Sequence, residues 1–458
     1  MALSIALSGC RIQHLPPAPL APAATAAALT ARRLDDPGLL AFLRANHVLG
    51  AAPPAVWTLP MLADAALYFS PALDEARAQL ALSQAGEITA GARPNPTLSL
   101  QPGVPSPYLL SLDWSLPILT HGKRGLQMRQ AATLTAASRL HLALAAWQAR
   151  SAVRAALVNH WAVLADQRQL QAEQAVQAAR VTMLSQQLAA GEISRPELDT
   201  ARIALTTTRQ ALLYAATTAM TTSAALAAAL GVPAAALAHV RFAWPNWDAP
   251  PDPASIPAAR MERAAVINRL DVRQALAHYQ AAEAGLQLEL ARQYPDLALG
   301  PGYSYEEGRS YFTVGLSVTL PLFNQNQGPI AEAAARRQAA GAAVVATQAQ
   351  VLAASDAAWS AYRGAFAEWQ AARALTALQQ GQQALAANAL RAGETGSLPL
   401  NSAQLQRTLA STAATAALAR VQTALGQLED AIEQPLEPGG LPPLAPGAPA
   451  LHPQRVHP

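Results

Sequence analysis

Two long stretches of this chain contain no proline, although its 458 residues include 35 prolines: residues 122 to 190 and residues 331 to 392. Continuous helix over the first would extend roughly 100 Å at about 1.5 Å per residue, deeper than any globular core. Apolar residues recur there at four-three spacing, as in Leu140, Leu144 and Trp147 and again in Leu157, Trp161 and Leu164, which is a coiled-coil-like pattern. Alanine, glutamine, serine and threonine fill much of the rest, so neighbouring helices can approach closely and both sides tolerate water. Each run ends in a glycine-bearing turn, "GEISRPEL" or "GETGSLPL", before a second helical run begins. Two long helical hairpins follow from this pattern.

The punctuation around the hairpins is written twice in the same order. Ala92-Arg93 matches Ala291-Arg292, Pro96 matches Pro295, Leu116-Pro117 matches Leu320-Pro321, and Gly191 matches Gly393. A period of about 200 residues is too long for a solenoid unit and indicates duplication of a whole domain. The chain accordingly divides into a possible leader at 1–10, a proline-rich segment at 11–60 expected to be extended or loosely packed, and a first repeat at 61–233. A linker at 234–257, a second repeat at 258–432 and a proline-rich tail at 433–458 complete it. The first repeat should open with a helix over 62–92, broken or kinked at Pro71, and the second with a helix over 258–292.

Between the opening helix and the long hairpin of each repeat, apolar and small polar residues alternate. Leu112, Trp114 and Leu116 oppose Ser111, Asp113 and Ser115; Val314, Leu316, Val318 and Leu320 oppose Thr313, Gly315, Ser317 and Thr319. A partner strand precedes each, with Leu98 and Leu100 in the first and Leu297, Leu299, Tyr303 and Tyr305 in the second. The period of two predicts a β-hairpin per repeat with one apolar and one small, wettable face. A half-buried sheet of a water-soluble core would show the same alternation. Tyrosine and tryptophan among the strands, and inner faces that are small rather than charged, fit a membrane barrel better. Four strands are too few to close one, so several chains would have to share it.

Composition excludes several functions. The formal charge of +3 is small for this length and the basic residues are dispersed, so no nucleic-acid surface is expected. No uninterrupted apolar window of about 20 residues is evident, so a membrane-spanning helix is not expected. The nine histidines are scattered without paired spacing, and no metal site, cofactor site, phosphate loop or catalytic constellation stands out. The single cysteine, Cys10, ends "LSGC" behind a short apolar leader, which is similar to a bacterial lipobox; lipidation of Cys10 is the corresponding expectation.

The ordered set "AGARPNPTLSL", "LDWSLPI", "LAAGEISRPELDTARIAL", "LAAALGVP", "NRLDVRQA", "YPDLALGPGYS" and "GLSVTLPLF" resembles the TolC family of outer-membrane efflux channels over roughly residues 60 to 432. "LPILTHGKR" looks like the heavy-metal branch typified by CzcC and CusC. The resemblance implies a mainly α chain with a small β part, three copies of which form an α-helical barrel and one shared 12-stranded transmembrane β-barrel. It implies a passive exit duct for metal cations or small toxic compounds. Its partners would be outer-membrane lipid, a periplasmic adaptor and an inner-membrane pump of the resistance-nodulation-division type.

On the same resemblance, the lipid-facing barrel positions are Leu112, Trp114, Leu116, Val314, Leu316 and Val318. The adaptor-contacting periplasmic tips are Gly191, Glu192, Ile193 and Ser194, and Gly393, Glu394, Thr395 and Gly396. Glu197 falls at an acidic position of the closed-state linkage, with Arg202 one turn on. The second tip departs from the family pattern: Pro399 and Ser402 stand where an acidic ring is found, and Thr395 where the gate arginine is found. A helical periplasmic scaffold that binds partners, and a duct for type I protein secretion, are the alternatives.

Overall fold

The computed structural model describes residues 14–50, 54–103, 109–244 and 247–436. Helices dominate. The first long run forms α5 (Lys123–Ala189) and returns as α6 (Arg195–Leu230); the second forms α9 (Gln327–Arg391) and returns as α10 (Ser397–Ile432). The helices of each hairpin pack along each other, and α10 also packs on α5, which joins the two repeats.

Four strands form one antiparallel meander in the order β1 (Thr97–Gly103), β2 (Leu109–Ile118), β3 (Leu297–Glu306) and β4 (Arg309–Val318). Each repeat supplies one hairpin, as the alternation predicts, and the β2–β3 ladder joins them into one sheet. Pro117 lies inside β2, opposite Ala298, whereas Pro321 lies beyond the end of β4. The two Leu-Pro pairs are therefore not equivalent in structure.

The opening helix of the first repeat breaks where proline predicts, into α3 (Leu59–Phe69) and α4 (Pro71–Gly91). The second, expected as a single helix over 258–292, also breaks, into α7 (Ala258–Asn268) and α8 (Leu270–Ala291), without a proline. Arg269 adopts extended backbone at the junction. The Leu270 N–H, the group a proline would lack, donates to Glu433 Oε2 at 2.6 Å, and the Arg269 guanidinium donates to the Ala431 carbonyl at 2.8 Å. A carboxylate from the far end of the repeat thus does what Pro71 does by covalent structure. Glu433 and Leu436 are accordingly packed against the body of the protein.

The N-terminal segment also differs from expectation. It contains α1 (Pro22–Thr30) and α2 (Pro37–Ala45), and Asp36 caps α2 through the Gly38 and Leu39 amides. Leu39 and Leu43, four residues apart, are fully buried in the main core with Leu62, Leu157, Leu230 and Tyr362. Arg32 donates to the carbonyls of Phe69 and Gly231, and Trp57 forms a single β-bridge with Phe242 of the linker. This core gathers the N-terminal segment, both hairpins and the linker at one level of the molecule.

One buried group in this core titrates against stability. The Asp64 carboxylate on α3 accepts one hydrogen bond, from Asn46 Nδ2 at 2.9 Å, and its other oxygen has no partner. Burial holds its pKa above the ordinary carboxylate value. The folded state then keeps its proton where the unfolded state has lost it. Stability from this group is fully present below the unfolded pKa and falls as pH rises through the folded one. Asp64→Asn is expected to raise the thermal midpoint at neutral pH and leave it unchanged in acid, read by circular dichroism melts across a pH series.

Candidate functional site

Through its middle the sheet separates its two kinds of side chain; only near the strand turns do Leu109 and Tyr311 fall on the polar face and Ser310 on the apolar one. Register places Leu98 opposite Trp114, Leu100 opposite Leu112, Leu116 opposite Leu299 and Leu299 opposite Leu316, with Val318 opposite Leu297 and Phe312 opposite Tyr303. Directly paired residues share a face, so one face is apolar across all four strands. Val314 is 80% exposed, Phe312 86%, Leu316 68% and Trp114 47%; Leu112 is half-buried. Contiguous exposure of this kind marks a surface that meets something other than water. The opposite face carries Ser99, Ser111, Ser115, Gly300, Gly302, Thr313 and Ser317, with Asp113 among them. Among the described residues, β1 and β4 each leave one edge without a pairing strand.

Below the sheet, the "HGKR" stretch fastens strands to helices. His121 and Gly122 take positive φ, which turns the chain from β2 into α5. Lys123 is 5% exposed, and its Nζ donates to Asp296 Oδ1 and to the Tyr294 carbonyl, both at 2.7 Å. Asp296 Oδ1 also accepts from the Thr120 amide at 2.9 Å, and His121 stacks on Tyr294. Lys123 thereby ties the first repeat to the start of β3 in the second. Arg124 Nε donates to the Gly91 carbonyl at the end of α4. In the second repeat Asn326, also at positive φ, does the corresponding job: its Nδ2 donates to the Glu289 carbonyl near the end of α8. The Gly-Lys-Arg stretch is thus a structural clamp. Among the described residues no group of three or more His, Cys, Asp or Glu is placed to hold a metal.

At the other end of the helices lie the two turns. Gly191 and Gly393 have φ of +77° and +73°, and the amides of Glu192 and Glu394 reach back to the carbonyls of Gln187 and Ala389. This closes each helix with a left-handed glycine cap. α6 then restarts at Ser194, whose amide and hydroxyl both contact Glu197 Oε1. Ile193 packs with Leu198, Leu188 and Leu398, and Asn401 Nδ2 donates to the Val176 carbonyl, so the structure brings both turns to one end of the molecule. It does not pair Glu197 with Arg202. Glu197 caps its own helix, and Arg202 lies 3.4 Å from Asp199 Oδ1. Pro399 and Ser402 lie in the first turns of α10, and Cys10 lies outside the described residues.

Contrary to the sequence expectation, one described helix, α6, is long and apolar enough to cross a membrane by length and mean hydropathy. Its apolar character comes from alanine, with threonines that bond back to their own helix, such as Thr206 to the Arg202 carbonyl and Thr217 to the Leu213 carbonyl. It packs along α5.

No protein-family model and no curated protein sequence matches the chain. Solved structures do. The outer membrane protein VceC from Vibrio cholerae aligns at 20% identity with a TM-score of 0.67, over 83% of this chain and 97% of that one. A membrane protein from Pseudomonas aeruginosa aligns at 19% identity and 0.66, over 82% and 93%. This is the fold of the bacterial outer-membrane channels. The CusC channel aligns at 16% identity and 0.66, over 84% and 95%, so the TolC-type resemblance holds for the fold while the heavy-metal branch is not singled out. The two-faced sheet and the paired turns lie at opposite ends of the long helices, with the clamp where strands pass into helices.

The sequence reading missed the clamp partner Asp296 and the role of Asn326. The available signal was positional: Asn326 stands where the first repeat has Gly122, at the start of the long helix.

Proposed function

We propose that the chain is the outer-membrane exit duct of a tripartite efflux system, a passive channel for metal cations or small toxic compounds. The observation that carries this is the four-stranded sheet with two open edges, an exposed apolar face and a small polar face, standing above helices roughly 100 Å long. Open edges in hydrocarbon leave backbone groups unsatisfied, so such a sheet enters a bilayer only when copies close it. Three copies give 12 strands, with the apolar face toward lipid and the polar face lining water. The helices continue as a tunnel, and Cys10 is the proposed lipid attachment point. Purified from outer membranes in mild detergent, the protein should run as a trimer and raise conductance in a planar bilayer. Recovery as a soluble, elongated monomer overturns the reading.

The paired turns would receive the periplasmic adaptor. A Cβ at Gly191 or Gly393 would meet nothing within 4 Å, so only backbone strain resists substitution there. The left-handed conformation costs a β-branched residue about 1–2 kcal/mol or more. Gly191→Val and Gly393→Val are expected to cut adaptor co-purification severalfold while trimer yield stays near wild type. Equal loss of both counts against the turns as the docking end.

A further inference from the structure

Asp113 is the charged side chain on the polar face of the sheet, away from the strand turns, that the channel reading leaves unexplained. It is the fifth residue of the ten in β2, and the only other charged residues in the four strands are Glu306 and Arg309, opposite each other beside the β3–β4 turn. Its neighbours across the ladder are Ser99 on β1 and Gly302 on β3, and Gly302 is in turn opposite Thr313. The side chain is exposed and forms no hydrogen bond or ion pair among the described residues.

Gly302 explains how the carboxylate fits. A Cβ there would lie 2.5 Å from Asp113 Oδ1 and 2.6 Å from Thr313 Oγ1, so the missing side chain leaves the gap into which both groups lean. The carboxylate therefore lies over the middle strands, with only small uncharged side chains around it. At this depth an unpaired carboxylate is stable only against water, because facing hydrocarbon would be costly. A water column inside a low-dielectric wall also strengthens the field of any charge on that wall.

We infer that Asp113 gives the lumen a preference for cations: one carboxylate from each copy of the chain forms a ring partway through the barrel. Rings of acidic side chains select cations in channels of other architecture by the same electrostatics. The ligand class is inorganic and organic cations in passage, and the ring acts through its field rather than as a coordinating site. This rests on the exit-duct reading, since only closure of the sheet creates a lumen.

The test reads the barrel directly. Ser115 lies on the same face two residues away, and Cys10 is the only native cysteine. In Ser115→Cys, cationic and anionic methanethiosulfonate reagents added from outside are compared for labelling rate above the Cys10 background. The cationic reagent is expected to react about tenfold faster, with the ratio falling severalfold when Asp113→Asn is added. In planar bilayers under a potassium chloride gradient, the reversal potential should shift toward zero in Asp113→Asn and change sign in Asp113→Lys. A labelling ratio that Asp113→Asn leaves unchanged overturns the ring while the duct stands. A Ser115→Cys thiol that neither reagent reaches, in a chain that does not conduct, overturns the duct and the ring together.

Discussion

Val314→Arg is expected to keep the protein out of the outer membrane, whereas Thr313→Arg, one residue earlier at the same depth, is expected to insert and assemble near the wild-type level. Val314 is 80% exposed and lies on the apolar face between Phe312 and Leu316. An arginine facing lipid near the bilayer midplane costs about 2–4 kcal/mol in a barrel. Three copies would raise this to about 6–12 kcal/mol, comparable with the whole stability of an ordinary fold. Thr313 points to the other face, opposite Gly302 and near Asp113, where a guanidinium stays hydrated. Outer-membrane fractionation with a trimer band on unheated gels, followed by bilayer conductance, separates the two variants. Equal tolerance of both would show that the apolar face does not meet lipid.

Why these two neighbours should behave so differently was legible in the sequence, because a period of two needs no knowledge of partners. The alternation around Trp114 and Leu316 named the faces, and the ladder register kept them. The two long hairpins were equally legible, since absence of proline and a glycine turn are local facts. What escaped were features set by distant residues. Arg269 breaks a helix because Glu433 reaches the Leu270 amide, and nothing near Arg269 announces it. "HGKR" read as a mark of one family branch, while its lysine is held by Asp296 and Tyr294 in the other repeat. The prolines of the N-terminal segment obscured Leu39 and Leu43, whose spacing marked one face of a short helix. Glu197 and Arg202, one turn apart on α6, looked like a pair, yet each has a nearer partner in Ser194 or Asp199.

The same dependence on distant partners makes Glu429→Ala the most damaging single change expected in the helical part. Arg150 and Arg154, on consecutive turns of α5, both approach Glu429 Oε2 of α10 at 3.3 Å. The Glu429 side chain is 1% exposed, and its other oxygen accepts from the Leu436 amide at 2.8 Å. Arg154 also donates to the Gln422 carbonyl at 2.9 Å, and Gln422 Nε2 donates to the Trp247 carbonyl, which extends the network into the linker. Space for the Arg154 guanidinium exists because residue 426 of α10 is glycine; a Cβ there would collide with it. Removing the carboxylate takes away the counter-charge that two buried arginines share, a defect worth about 3–5 kcal/mol. Glu429→Ala is therefore expected to lose most of its trimer yield and to melt far below wild type. Glu429→Gln, which keeps an acceptor for Leu436 but no charge, should fall between. Replacing Arg150, Arg154 and Glu429 together by methionine should recover much of the loss, because an apolar core of similar volume needs no counter-charge. Were the triple variant as unstable as Glu429→Ala, the contribution of Glu429 would lie in its shape and its bond to Leu436 rather than in neutralising the arginines that join the two repeats.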